Sequence, residues 1–321
     1  MAQPTFDNRV TRMLGVDIPI FQAPMGHVAK PRLVAAVSEA GAMGLVPGSL
    51  GTDVVREDIR RTRDLTSKPF GVNLPLAFLR DPAIVDMIVE EGVEFVTTSA
   101  GSPDKYGPVL KEAGLIVFHV VPTLKGAQRA VDAGVDGLVV EGSEGAGFKS
   151  PREVTSMVLL PLIASRLDVP IVAAGGMADG RSMAAAFALG AEGVQMGTRM
   201  LSSEESGVHR NMKQAVVDAA ETDTMLINQH NRKPVRVLRT QTTERFELSS
   251  EGDPIELLGN ILALYDDGDM EASLPQLGAV AGRIDEILPA AEIIRRTVEE
   301  FGEILGGLAQ RYITATPTRA S

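Results

Sequence analysis

Short apolar runs alternate with longer segments in which apolar residues recur every three or four positions. The short runs are typical of buried strands and the longer segments of amphipathic helices. A strand followed by a helix, repeated about every 20 to 30 residues, implies parallel strands covered on both faces. Eight strands are predicted, at residues 18–24, 42–48, 69–75, 93–101, 115–123, 136–142, 170–176 and 192–198.

Glycines mark the ends of the predicted helices. Gly41, Gly92, Gly114, Gly134 and Gly190 each close a helical segment just before a strand, where glycine suits a left-handed cap. Eight such units close most naturally into a barrel. The predicted fold class is therefore α/β, a (β/α)8 TIM barrel, and a doubly wound open sheet is the alternative, although that fold normally needs fewer strands.

The pattern changes after residue 200. Residues 202–229 read as helix and residues 232–248 as one or two strands. We therefore expect an insertion or a small second domain. The predicted division is a barrel over 1–214, a small second domain over 215–275, and C-terminal helices over 276–321 that return to the barrel.

Composition narrows the class of partner. The chain has 321 residues, a net charge of −11 and no cysteine. The acidic balance and the lack of a basic stripe argue against a nucleic-acid partner. Without cysteine there is no disulfide, thiolate metal site or cysteine nucleophile, and no His/Asp/Glu cluster has the spacing of metal ligands. No metal is predicted, and the expected partner is a small-molecule substrate.

No targeting or membrane segment is evident. Residues 1–14 lack the apolar core of a signal peptide, and no run of about 18 apolar residues occurs. We therefore expect a cytoplasmic protein without a membrane partner, as a monomer or homodimer.

Candidate site residues follow the predicted strands, at the end where barrel active sites lie. The first strand leads into Pro24, Met25 and His27, and the third contains Asn73. The last two strands end in the ranges 175–176 (Gly-Gly) and 197–198 (Gly-Thr). Backbone N–H groups in these two loops attract anions, so the pattern favours a phosphate-bearing ligand.

Six segments occur in one order: FQAPM, VAAVSEAGAMGLV, GVNLPL, EGSEGAGF, AAGGMADG and VQMGTRML. Together they resemble the nitronate monooxygenase (2-nitropropane dioxygenase) group of flavoproteins, which is related to flavin-dependent enoyl reductases and NADH:quinone reductases. The resemblance runs through residues 18–201 and returns weakly at 277–294. It implies FMN as the cofactor, with NADH or NADPH as a candidate reductant. It also implies that the inserted segment over 215–275 forms a small, α-rich, substrate-side domain.

The resemblance also implies roles for single residues. Family members often carry glutamine where Glu141 stands, so a carboxylate there could alter the flavin contacts. The FMN phosphate would be held by Gly175, Gly176, Gly197 and Thr198, and the reactive flavin edge would be lined by Pro24 and Met25. Asn73 would hydrogen-bond the cofactor, and Glu141 would lie near the ring or ribityl chain. Gly142 is a further candidate cofactor contact.

The chain departs from the family pattern in the loop after the sixth strand. The family usually reads Glu-Ala-Gly-Gly-His there, and the histidine is the base toward nitroalkane. Here residues 144–147 are followed by Phe148, which cannot take a proton. Base catalysis, typically worth about 10²–10⁴-fold, should be lost. Oxidation of a preformed nitronate and hydride transfer need not suffer, and we expect Phe148 to be a pocket wall that selects a flat or apolar substrate.

Other histidines and a lysine are candidates to replace that base. His27 is a candidate catalytic proton donor, although a lone loop histidine more often has no such role. We interpret His119 as a core group and Lys149 as a solvated charge. His209 and His230 fall after the barrel, where surface or substrate-mouth positions are expected.

The predicted function is that of an FMN-dependent oxidoreductase that oxidises nitronates, or a related small substrate, without the loop histidine. The alternatives are an NAD(P)H-dependent quinone or enoyl reductase and, in a different class, a non-catalytic flavin-binding barrel. Barrels that oxidise guanine or inosine nucleotides need a catalytic cysteine, which this chain lacks. A Schiff-base aldolase would need a lysine near a strand end, and every lysine falls in a helical or loop segment.

Overall fold

The strands define the architecture of the protein. The structure is a computed structural model, and it describes residues 4–79, 81–249 and 252–312. Within these residues the chain forms β1 (Ile20–Gln22), β2 (Gly44–Pro47), β3 (Phe70–Pro75), β4 (Phe95–Ser99), β5 (Ile116–Val121), β6 (Gly137–Glu141), β7 (Gly147–Phe148), β8 (Ile171–Ala174), β9 (Gly193–Met196), β10 (Thr224–Ile227) and β11 (Val235–Leu238).

Eight of these strands form a parallel barrel. Their order is β1-β9-β8-β6-β5-β4-β3-β2, and each lies inside one of the eight predicted strand ranges. The two edges meet beside β1, where the Gln22 N–H donates to the Met43 carbonyl at 3.0 Å and the Met43 N–H donates to the Ile20 carbonyl at 2.9 Å. The predicted (β/α)8 barrel is confirmed, and the open-sheet alternative is wrong.

Side chains fill the lower part of the barrel. Phe95 packs edge-on against Phe21 and Phe118, with ring centroids 5.7 and 5.3 Å apart. Val10 and Leu14, from a short helix before the first strand, belong to the same buried cluster. Because this end is packed with apolar side chains, a ligand cavity inside the barrel is expected at the carboxyl ends of the strands.

The helices surround the barrel and extend beyond it. The five glycines predicted as caps have φ of +65° to +100°, which confirms their left-handed conformation. The helices are α1 (Arg9–Leu14), α2 (Pro31–Glu39), α3 (Thr52–Leu65), α4 (Ile84–Glu90), α5 (Pro103–Glu112), α6 (Leu124–Asp132), α7 (Ser156–Ala164), α8 (Gly180–Ala188), α9 (Thr198–Leu201), α10 (Arg210–Val217), α11 (Gln241–Ser249), α12 (Pro254–Leu258), α13 (Ile261–Tyr265), a 3-10 helix (Ala279–Arg283) and α14 (Ala290–Tyr312). In the described part of the chain, none of them has the length and apolarity to cross a membrane.

The segment after the barrel contains a second sheet as well as helices. Strands β10 and β11 pair antiparallel, and β11 also pairs with β7, which aligns Phe148 with Val235. A prediction of continuous helix over 202–229 is therefore wrong at β10, where the chain pairs with β11.

The prediction of one or two strands over 232–248 is correct only for its first half. The range contains strand β11, but helix α11 follows it from Gln241. The Glu271 carboxylate accepts the N–H groups of Gln241 at 3.2 Å and Thr242 at 2.7 Å. A negative charge at this position stabilises the start of a helix. It comes from a residue distant in the sequence, so local periodicity does not reveal it.

A buried cluster joins the later segment to the barrel loops. It includes Val28 and Leu201 from the barrel, Met212 from α10 and Tyr265 from α13. The predicted domain boundaries at residues 215 and 275 remain a prediction.

Candidate active site

A cavity of about 990 Å³ opens at the carboxyl ends of the barrel strands. The structure brings all of the predicted site residues onto its wall, whereas their individual roles remain predictions. These residues are Pro24, Met25, His27, Asn73, Glu141, Gly142, Phe148, Gly175, Gly176, Gly197 and Thr198.

The loops that follow β6 and β8 pack backbone against backbone. Gly175 has a φ of 86°, and a Cβ there would lie 2.9 Å from the Gly142 carbonyl oxygen and 3.2 Å from the Gly145 nitrogen. Gly176 has a φ of 79° but more space, since its nearest neighbour would be the Glu144 Cβ at 3.8 Å. Gly175 is therefore required by packing, whereas Gly176 presents bare backbone to the cavity.

The turn after β9 offers a second set of anion-binding groups. Gly197 precedes α9, whose first residue is Thr198. The Thr198 hydroxyl is buried and accepts the Gly278 N–H at 2.9 Å. A hydroxyl that accepts a hydrogen bond keeps its own proton to donate. The turn therefore combines a donor hydroxyl with the backbone amides at the start of α9, as a phosphate requires.

Two carboxamides from the barrel strands β3 and β9 lie on the cavity wall. Asn73 is buried, and its Nδ2 donates to the Thr97 hydroxyl at 3.0 Å, which fixes the side chain against β4. The Gln195 Oε1 is buried without a hydrogen-bond partner within the described residues. An unsatisfied buried acceptor costs about 1–3 kcal/mol, so a ligand N–H at this point would relieve it. This fits a flavin, whose ring carries such a group.

Sequence reasoning missed Gln195, although a signal existed. It stands in β9 between Val194 and Met196, which are both fully buried. Parallel barrel strands are covered on both faces and read as near-continuous apolar runs. A glutamine inside such a run, two residues before a glycine turn, indicates a polar group facing the cavity.

Glu144 anchors the loop after β6. Its carboxylate accepts the Ser156 backbone N–H at 3.0 Å and the Ser156 hydroxyl at 2.8 Å, where α7 begins. A Cβ on Gly142 would collide with this carboxylate. Glu144 thus stabilises the helix start as an anion, and the glycine leaves space for it.

Phe148 and Lys149 point in opposite directions. Phe148 is 41% exposed, and its ring centroid lies 6.4 Å from that of Phe78 at the cavity rim. The Lys149 side chain is only 4% exposed, and its Nζ lies 2.6 Å from the Glu141 Oε1. The interpretation of Lys149 as a solvated charge is wrong, because its side chain is buried against Glu141 in the cavity wall.

His27 lies on the cavity wall in a strained conformation. Its φ of 60° is in the left-handed region, as is that of Ala100 on the same wall. Such strain in residues other than glycine concentrates at functional sites. Burial lowers the pKa of His27, Lys30 lowers it further, and Asp266 opposes both. The lower pKa leaves a smaller fraction of His27 protonated at pH 7, which argues against His27 as the proton donor.

His119 is buried, which agrees with its interpretation as a core group, and it also lines the cavity. Its Nδ1 lies 2.6 Å from the Thr98 hydroxyl. Burial lowers the pKa of His119 to about 4, although a backbone hydrogen bond to Gly101 opposes the shift. The ring is therefore neutral at pH 7.

The other two histidines stand away from the cavity wall. His209 accepts the Asn211 N–H through Nδ1 at the start of α10. His230 is exposed in the loop between β10 and β11. Neither is positioned to act on a ligand in the cavity.

Fold and site together define the class of the protein: it is a flavin-dependent oxidoreductase built on a (β/α)8 barrel. The family model described as nitronate monooxygenase matches residues 7–82 and 77–300. The chain belongs to the nitronate monooxygenase family.

Relatives and solved structures agree with this assignment. The chain is 36% identical over 246 residues to (3aS,4S,5R,7aS)-5-hydroxy-7a-methyl-1-oxo-octahydro-1H-indene-4-carboxyl-CoA dehydrogenase of Rhodococcus jostii (strain RHA1), covering 76% of this chain and 69% of the relative. FabK from Thermotoga maritima superposes with a TM-score of 0.89 at 40% identity, covering 95% of this chain and 99% of FabK. Nitroalkane oxidase from Streptomyces ansochromogenes gives a TM-score of 0.82 at 27% identity, covering 93% and 99%.

Proposed function

We propose that the chain is an FMN-dependent oxidoreductase that reduces the double bond of an α,β-unsaturated thioester, with NADH or NADPH as the electron source. The observation that carries this proposal is the exposed Phe148 ring at the cavity rim. It stands at the loop position where the family resemblance places a base. A site without that base is poorly suited to C–H deprotonation, whereas reduction needs no base there.

The residues around the cavity fit one phosphate and one flavin ring. Gly176, Gly197 and Thr198 would hold the FMN phosphate, and Gln195 would accept a hydrogen bond from the ring. Pro24 and Met25 would line its reactive edge. When bound, FMN supplies a two-electron carrier that can take a hydride from a nicotinamide and pass it to a substrate.

The rim favours an apolar acyl group. Phe78 and Phe148 form an aromatic pair that can cover a flat chain and exclude water from the site. A cavity of about 990 Å³ is at the upper end of the roughly 300–1,000 Å³ that ligand pockets span, which leaves room for a second reactant beside the cofactor. The CoA thioester in the name of the Rhodococcus jostii relative supports a thioester substrate.

Oxidation of a preformed nitronate is the second candidate. A nitronate is already an anion, so it needs no base at Phe148. The Lys149 ammonium in the cavity wall would attract its oxygens. The family assignment and the likeness to a nitroalkane oxidase also favour this reaction.

One set of assays separates the two candidates. The purified protein is expected to show the visible spectrum of bound FMN and to oxidise NADH or NADPH when crotonyl-CoA is added. Propyl-2-nitronate, neutral 2-nitropropane and menadione are tested beside it, each with and without the nicotinamide. Turnover of the nitronate but not of crotonyl-CoA would replace the first candidate by the second, and turnover of menadione alone would favour a quinone reductase.

A further inference from the structure

The cavity wall next to Phe148 holds an ion pair whose ammonium is buried. The Lys149 Nζ lies 2.6 Å from the Glu141 Oε1, with the two side chains 4% and 27% exposed. Both residues line the cavity. The positive charge is therefore shielded from bulk water but lies beside the space that a ligand would fill.

The loop is shaped around this pair. A Cβ on Gly145 would collide with the Glu141 Oε1 and lie 2.8 Å from the Lys149 Nζ. The Lys149 backbone N–H donates to the Pro234 carbonyl at 2.8 Å. The glycine provides space, and the backbone bond fixes the direction from which the ammonium enters.

The ammonium has hydrogen-bonding capacity to spare. It carries three N–H donors. Among the residues that the structure describes (4–79, 81–249 and 252–312), its one hydrogen-bond partner is Glu141. A buried ion pair adds little stability, because desolvation of the two charges offsets their attraction. Paired charges in a ligand cavity are therefore better explained by a role in binding or chemistry.

We propose that Lys149, held by Glu141, binds the substrate oxygen that becomes negatively charged during the reaction. The assignment of that oxygen to a thioester carbonyl rests on the proposed function. Hydride addition to the β-carbon moves the electron pair of the double bond toward this carbonyl and forms an enolate. A fixed ammonium beside the oxygen stabilises the enolate more than the neutral substrate, and a proton from solvent then completes the α-carbon.

A coloured enolate mimic tests this role without turnover. 4-Nitrophenol carries a phenolic oxygen whose ionised form is yellow. It is titrated into the FMN-loaded wild type and the variants Lys149→Met and Lys149→Arg at several pH values. We expect the wild type to bind the phenolate about 10- to 100-fold more tightly than the neutral phenol. Lys149→Arg should keep most of this preference, and Lys149→Met should lose it.

Two further variants control for folding and for nonspecific charge. Lys149→Met leaves the Glu141 carboxylate unpaired, so the double variant Glu141→Gln/Lys149→Met is measured as well, because it removes both charges. Lys125→Met removes an exposed lysine that does not line the cavity and should behave as wild type. FMN affinity is measured for each variant.

The outcomes distinguish this inference from the proposed function. Equal phenolate preference in wild type and in the variants without Lys149 would overturn the proposal. Loss of FMN from the folded double variant, with FMN retained by Glu141→Gln alone, would also overturn it, because it would place the ammonium on the cofactor. With crotonyl-CoA, Lys149→Met should lose about 10²–10³-fold in kcat/KM without a change in flavin reduction by NAD(P)H. If crotonyl-CoA is inert with wild type but phenolate preference still depends on Lys149, the oxyanion site stands and the thioester assignment fails.

Discussion

Replacing Gly175 or Gly176 with alanine separates the packing of the anion-binding loops from their ligand contacts. Both glycines have left-handed φ, at 86° and 79°, so either alanine costs about 1–2 kcal/mol of backbone strain. At Gly175 the added Cβ also lies 2.9 Å from the Gly142 carbonyl oxygen. Such overpacking typically adds about 1–3 kcal/mol.

We therefore expect Gly175→Ala to reduce the free energy of unfolding by about 2–5 kcal/mol and Gly176→Ala by about 1–2 kcal/mol. Gly176→Ala should weaken FMN binding more than its small effect on stability suggests, because its methyl group enters cavity space. Urea unfolding of the apoprotein gives the first quantity, and quenching of FMN fluorescence gives the second. Equal destabilisation by the two alanines would refute the backbone packing between the loops after β6 and β8.

Three further predictions concern single side chains. Phe148→His should raise activity on neutral nitroalkane by about 10-fold, which is less than the full effect of a base. If the wild type already turns over neutral nitroalkane efficiently and His27→Ala abolishes that activity, the base is His27 instead. His119 has a pKa of about 4 in the folded state and 6.5 in the unfolded state. The neutral ring therefore contributes about 3 kcal/mol to the free energy of unfolding, which is complete above pH 6.5 and is lost as the pH falls toward 4. His119→Gln should make the free energy of unfolding, measured with urea at several pH values, depend less on pH in this range, and an unchanged pH dependence would contradict the lowered pKa. Gln195→Leu should weaken FMN binding by about 10-fold without loss of stability, and unchanged FMN affinity would remove Gln195 from the cofactor site.

The barrel could be predicted because its signals are local. Each strand is a short apolar run, and five of the barrel helices are followed by a glycine with a left-handed φ, a conformation that only glycine adopts easily. The predicted site residues line one cavity because parallel strands present their carboxyl ends at one end of a barrel. Both inferences need only spacing and residue type.

The later segment and the ion pair depend on distant contacts. Helix α11 starts where Glu271, about thirty positions away, accepts two backbone N–H groups, and the alternation of residues 240–248 gives no sign of it. The buried Lys149 side chain lies against Glu141, in a loop where β7 pairs with the distant strand β11. Neither feature can be predicted from the periodicity of apolar residues nearby in the sequence.

The central claim is that an α,β-unsaturated thioester accepts the hydride from the reduced flavin, and an anaerobic half-reaction tests it most directly. The FMN-loaded wild type is reduced with one equivalent of NADH or NADPH and mixed with crotonyl-CoA, and flavin absorbance is followed. We expect rapid return of the oxidised flavin spectrum and formation of butyryl-CoA. A flavin that stays reduced with crotonyl-CoA, while the oxidised protein is reduced by neutral 2-nitropropane, would contradict both the proposed reaction and the absence of a base.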